Sequence, residues 1–230
     1  MKSLSKLMFC VGLALAIAPA AMATTTCPTG FYSNYDPAPP GAGPSITCTT
    51  NNLQFSHFNF ENATASGGAV LPTPGNTAIT PIDVLGNEGF SFNPGFTDGP
   101  GQSQDAAVTF EVTALAGSIT DLSIFFNGAF TGTGSTSFSE TYCTIDFTHG
   151  CNTFQVNNPP PKLSDDITIP ATTKLFITKD YAASGGTDGS ASISKITNQF
   201  SQVPEPASMA LLGTALFGAY GLLRRQIRPS

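Results

Sequence analysis

Alternation with a period of two runs through most of this chain. In AAVTFEVTAL (106–115), Val108, Phe110 and Val112 fall in one phase and Thr109, Glu111 and Thr113 in the other. That is the pattern of a strand with one buried and one solvated face. LQFSHFNFE (53–61) puts Phe58 and Phe60 on one side and His57 on the other. Further strand segments are GFSFNPGF (89–96), SITDLSIFFNGAF (118–130), SFSETYCTIDF (137–147), TKLFITKDY (173–181) and SASISKITNQF (190–200). Gly, Pro and Asn punctuate them, and VNNPPPKLSDD (156–166) reads as a stiff connection. This predicts a mostly β fold, an antiparallel β-sandwich over residues 53–202 with a jelly roll among its forms. Residues 24–52, with Cys27, Cys48 and the run DPAPPGAGPS, are expected to form a Cys/Pro/Gly-rich N-terminal cap. No fixed-period repeat is found.

The two ends break the alternation. Residues 1–23 carry Lys2 and Lys6, then an apolar stretch from Leu7 to Ala18, then Ala21 and Ala23. The stretch is too short to span a bilayer, and the two alanines fit the small-residue pocket of a signal peptidase. A signal peptide cut after Ala23 is expected, and Cys10 should leave with it. At the other end, Val203-Pro204-Glu205-Pro206 precedes an uncharged run, 207–223, followed by Arg224, Arg225 and Arg228. Seventeen helical residues extend about 25 Å, near the lower limit for a single transmembrane helix. The arginines should stay cytoplasmic and leave the body outside. Pro204 and Pro206 donate no backbone hydrogen bonds, so the segment before the helix should be extended.

This ordered triplet of VPEP, short apolar helix and Arg cluster resembles the PEP-CTERM sorting signal over residues 203–226. The resemblance implies an exported protein of a Gram-negative bacterium that makes extracellular polysaccharide. It also implies an exosortase-type membrane protease as a partner, cutting at or near Pro204-Glu205-Pro206. The expected route is a membrane-anchored intermediate with its ectodomain in the periplasm, then the cell surface or the medium.

Composition sharpens this. Between Thr24 and Gln202 the chain has fourteen carboxylates against four lysines. Nucleic acid needs clustered Lys or Arg and is not an expected partner; a neutral extracellular polysaccharide is compatible. Four cysteines remain after export, and an even count outside the cytoplasm suggests disulfides. Local closure favours Cys27–Cys48 and Cys143–Cys151. Zinc is the rival, but Cys143, His149 and Cys151 supply only three local ligands.

Catalytic candidates are few. His57 and His149 have no nucleophile-elbow context, and no metalloprotease, P-loop or dinucleotide motif occurs. Glu111, Glu140 and Asp146 lie on or near strands, and Glu111 with Glu140 is the carboxylate pair a glycosidase would need. Asp98, Asp105, Asp165, Asp166 and Asp188 are carboxylates expected in loops, where calcium would be the one cofactor to consider. The expectation is a non-enzymatic structural or adhesive protein of a surface matrix or biofilm, with no catalytic residue, metal or cofactor. The alternative is a carbohydrate-binding sandwich using Phe31, Tyr32 and Tyr35 as exposed platforms, and a secreted hydrolase stands third.

Overall fold

The computed structural model describes residues 25–36, 45–84, 86–203 and Thr214. The leader 1–23 with Ala21 and Ala23, the processing residues Pro204, Glu205, Pro206, Arg224 and Arg225, and the apolar run 207–223 apart from Thr214 lie outside these. Among the described residues, no helix is long and apolar enough to cross a membrane.

The described strands are β1 (Gly30–Phe31), β2 (Cys48–Thr50), β3 (Leu53–Ser66), β4 (Ala78–Val84), β5 (Asn87–Asn93), β6 (Phe96–Asp98), β7 (Ser103–Ala114), β8 (Ser118–Thr131), β9 (Ser135–Asp146), β10 (His149–Asn158), β11 (Ser164–Thr172), β12 (Lys174–Ser184) and β13 (Ser190–Val203). A 3-10 turn, Tyr32–Asn34, follows β1. One sheet has the order β1-β4-β5-β13-β8-β11, with β6 also paired to β13; the other has the order β10-β9-β12-β7-β3-β2. All these pairings are antiparallel. From β7 onward the chain crosses between sheets at almost every connection. It sets β5-β13-β8-β11 against β7-β12-β9-β10, which is the winding of a jelly roll.

The core lies between the sheets and is rich in aromatic rings. Phe55, Phe58, Phe90, Phe92, Phe110 and Phe200 interlock with ring centroids 4.6–6.5 Å apart. Phe55 and Phe58 differ in parity, yet both point inward. A bulge makes this possible: Ser56 pairs with Glu111 and Asn59 with Thr109, so His57 and Phe58 together stand opposite Phe110. His57 takes φ 55° at that point and is turned to solvent. Gly89 on β5 is required for a different reason: a Cβ there would overlap the backbone carbonyl of Asn198.

The segment before β3 is more than a cap. Thr26 bridges to Thr49, and β1 and β2 join the two sheets. Tyr32 and Tyr35, expected as exposed platforms, are fully buried. The Tyr32 hydroxyl reaches the carbonyls of Thr109 (3.1 Å) and Asn59 (3.2 Å), Tyr35 donates to the Pro28 carbonyl, and both rings meet Phe58 edge-on. Each phenol can be buried because its hydroxyl finds a backbone acceptor. Of the three aromatics, Phe31 alone is exposed, at 50%.

Cys27 is bonded to Cys48, and Cys143 to Cys151. The first closes a separation of 21 residues and the second one of 8. By loop-closure entropy these restrict the unfolded chain by about 3 and about 2.5 kcal/mol. The Cys27→Ala/Cys48→Ala protein should therefore lose more stability in urea melts than Cys143→Ala/Cys151→Ala, and both should melt below the parent.

Candidate functional site

The outer face of the six-stranded sheet is the most regular surface of the molecule. Register carries one row, Asn59, Thr109, Thr178, Thr141 and Thr153, across five neighbouring strands. The next row is Glu61, Ala107, Asp180, Ser139 and Gln155. The hydroxyls of Thr141 and Thr153 bond at 2.7 Å, as do those of Ser66 and Ser103. At one end the surface turns aromatic. Phe147 meets Phe176 edge-on at 5.1 Å, and Lys174 Nζ stands 4.7 Å over the Phe176 ring. Glu111 beside them binds Lys174 at 2.6 Å and His57 at 3.2 Å. Hydroxyls, amides and two partly exposed rings can bind a polyhydroxylated chain lying across the strands, through hydrogen bonds and ring packing.

Thr109 and Glu111, expected outside in a clean alternation, do lie on this outer face but are largely covered there. β7 sits between β3 and β12, whose side chains fold over it. Partial burial raises the carboxyls of Asp105 and Asp180, and Asp180 pushes Asp105 further by its charge.

The expected carboxylate pair does not form. Glu111 points out, whereas Glu140 points between the sheets and is fully buried, so the two lie on opposite faces of one sheet. Asp146 closes the β9–β10 turn, where the backbone N–H and hydroxyl of Thr148 and the His149 ring hold its carboxyl down at about 2. Asp98 is not a loop ligand but is buried on β6, and burial raises its carboxyl. Asp165 pairs with Lys162, and Asp188 accepts from Thr133. Among the described residues, no three of His, Cys, Asp and Glu gather as metal ligands. Val203, the first residue of the VPEP element, is exposed at the end of β13.

A second cluster lies inside the sandwich. Lys179 (1% exposed) on β12 bonds to Glu140 Oε2 on the neighbouring strand β9. From the opposite sheet, Asn198 (0% exposed) on β13 donates Nδ2 to Glu140 Oε1 at 3.0 Å. Lys179 Nζ stands 5.3–5.6 Å from the rings of Phe92, Phe110 and Phe138. Burial pushes the Lys179 ammonium down and the Glu140 carboxyl up, and their attraction opposes both shifts. The signal for this cluster is present in the alternation. Lys179 stands between Ile177 and Tyr181, Glu140 between Phe138 and Tyr142, and Asn198 between Ile196 and Phe200, each in the apolar phase of its strand.

Comparison with known proteins gives one sequence result. The family model of the PEP-CTERM protein-sorting motif matches residues 202–226. No curated protein matches the chain. Among solved structures, TmCBM61 in complex with beta-1,4-galactotriose aligns at 12% identity and TM-score 0.33, over 64% of this chain and 88% of its own. The xylan-binding module CBM15 aligns at 12% identity and TM-score 0.29, over 70% and 99%. The enzymatically active domain of the bacteriophage CBA120 tailspike protein 4 aligns at 12% and 0.29, over 66% of this chain and 20% of its own. These TM-scores fall short of a common fold.

The raised aspartates fix a pH dependence. A carboxyl that is easier to protonate in the fold than in the open chain costs nothing while both forms are protonated. It destabilises as pH climbs through the ordinary aspartate value to the raised one. Asp180 is exposed to solvent, which screens its charge, so Asp180→Asn should raise the thermal midpoint at neutral pH by no more than about 1 °C, and leave it unchanged below the aspartate range. Melts across pH check this.

Proposed function

We propose that this chain is an exported, non-enzymatic structural component of a bacterial surface or extracellular matrix, delivered by exosortase-type processing of its PEP-CTERM motif. The observation that carries the reading is the junction between fold and motif. The motif begins at residue 202, and β13, an interior strand, runs to Val203. The processing element thus leaves directly from the middle of a sheet. At the other end, pairing among the described residues begins at Thr26, just past the proposed signal peptidase site after Ala23. Two disulfides suit an oxidising compartment outside the cytoplasm. In this reading the apolar run 207–223 holds the intermediate in the inner membrane until it is cut.

A second reading attaches to the same molecule: the hydroxyl-rich outer face of the six-stranded sheet contacts extracellular polysaccharide. The polar rows and the Phe147–Phe176 pair favour it.

Replacing Pro204-Glu205-Pro206 with three alanines should leave the protein uncut and in the membrane fraction of its own host, read by fractionation and blotting. Unchanged release would remove exosortase-type handling. Separately, Phe147→Ala/Phe176→Ala should weaken retention in gels cast with the host's polysaccharide by roughly tenfold, a loss of about 1.4 kcal/mol. Equal retention of parent and variant would remove the polysaccharide reading.

A further inference from the structure

We propose that Lys179 and Asn198 join through an intramolecular isopeptide bond across the two sheets, with Glu140 moving the protons. Three separate observations support the assignment.

The first is placement. Lys179 and Asn198 come from opposite sheets, and both reach the same carboxyl group, one on each oxygen. An amine and an amide held on the two oxygens of one carboxyl are neighbours, which is the proximity that acyl transfer between them needs. The amide oxygen, Asn198 Oδ1, is buried without a hydrogen-bond partner among the described residues.

The second is chemical state. A lysine attacks only as the neutral amine, and a carboxyl delivers a proton only when it holds one. Burial favours both states here, lowering Lys179 and raising Glu140. Moving one proton from the ammonium to the carboxylate inside the pair produces them together.

The third is energetic. A buried Lys–Glu pair sets a large desolvation penalty against its own attraction, and apolar replacements often stabilise as much. The three polar residues stand in a shell of Phe92, Phe110 and Phe138 that excludes water. Closing an amide leaves no net charge on Lys179 and lets Glu140 rest as a neutral acid.

The step balances without any added reagent. The Lys179 Nζ lone pair attacks Asn198 Cγ, and Glu140, which holds the proton taken from the ammonium, gives it to Nδ2. The Cγ–Nδ2 bond breaks, ammonia leaves, and the new amide nitrogen passes its extra proton to the Glu140 carboxylate. One amide replaces another, nothing is oxidised or reduced, and Glu140 ends as it began. Glu140 is the catalytic residue; Lys179 and Asn198 are the reactants. The product would fasten β12 to β13, the strand that leads into the sorting motif.

The test uses the full chain expressed with export in its host, purified and reduced. Its intact mass should be lower than the sequence of the mature chain by one ammonia. Trypsin should not cut after Lys179, and peptide 175–195 should travel joined to the peptide beginning at Ile196. That joined pair separates a cross-link from an internal succinimide, which loses the same mass. Glu140→Gln and Asn198→Ala should each abolish the joined pair and lower the thermal midpoint. Full mass with cleavage after Lys179 would overturn the proposal. So would loss of one water with Lys179 joined to Glu140. If the variants fail to fold, the parent protein's peptides still decide.

Discussion

The aromatic layer between the sheets is what the rest of the molecule depends on. A chain with 18 Phe and no Trp fills its interior with rings of one size, which pack edge-on and offset from both sides. That layer fixes register, because a slip of one residue would turn Phe90, Phe92, Phe110 and Phe200 to water. It also explains the bulge at His57, where β3 breaks step so that Phe55 and Phe58 both enter the layer. The N-terminal segment is drawn in by the same force, through Tyr32 and Tyr35.

Against this apolar background the Lys179–Glu140–Asn198 cluster stands out. Polar groups in an aromatic core weaken packing unless each finds a partner. Here the Lys179 ammonium, both Glu140 oxygens and the Asn198 Nδ2 do, with partners from both sheets, and Asn198 Oδ1 does not. Lys179 and Glu140 belong to adjacent strands and Asn198 faces them from across the core. The outer face of the same sheet is a contrast, with hydroxyls, amides and carboxylates at regular spacing across the strands.

Much of this fold is legible in the sequence because alternation reports burial directly. The strand 106–115, the local disulfides and the antiparallel β-sandwich class follow from period, spacing and turn residues. The same alternation misleads at Thr109 and Glu111, since it separates two faces but does not say how far neighbouring side chains cover the outer one. It gives no account of Tyr32 and Tyr35, which lie in a Pro/Gly-rich stretch where composition suggests a surface loop. Tyr32 is buried against distant acceptors at Asn59 and Thr109, and Tyr35 against the Pro28 carbonyl and the rings of Phe58 and Phe90. The Glu111–Glu140 pair fails on parity: one residue is in the apolar phase of its strand and the other is not. The inward polar trio is visible as three exceptions to alternation, but only the topology shows that they meet.

The position of β13 bears on how this protein is made. Residues 190–203 are synthesised late, yet they supply the strand on which β5, β6 and β8 all pair. Until they emerge, one of the two sheets has a gap in its middle, and its facing partner has little to close against. Such long-range pairing is slow to form. A nascent chain exported as proposed would therefore stay open and pliable while it threads a translocation channel, and compaction would wait for this last strand to arrive on the far side.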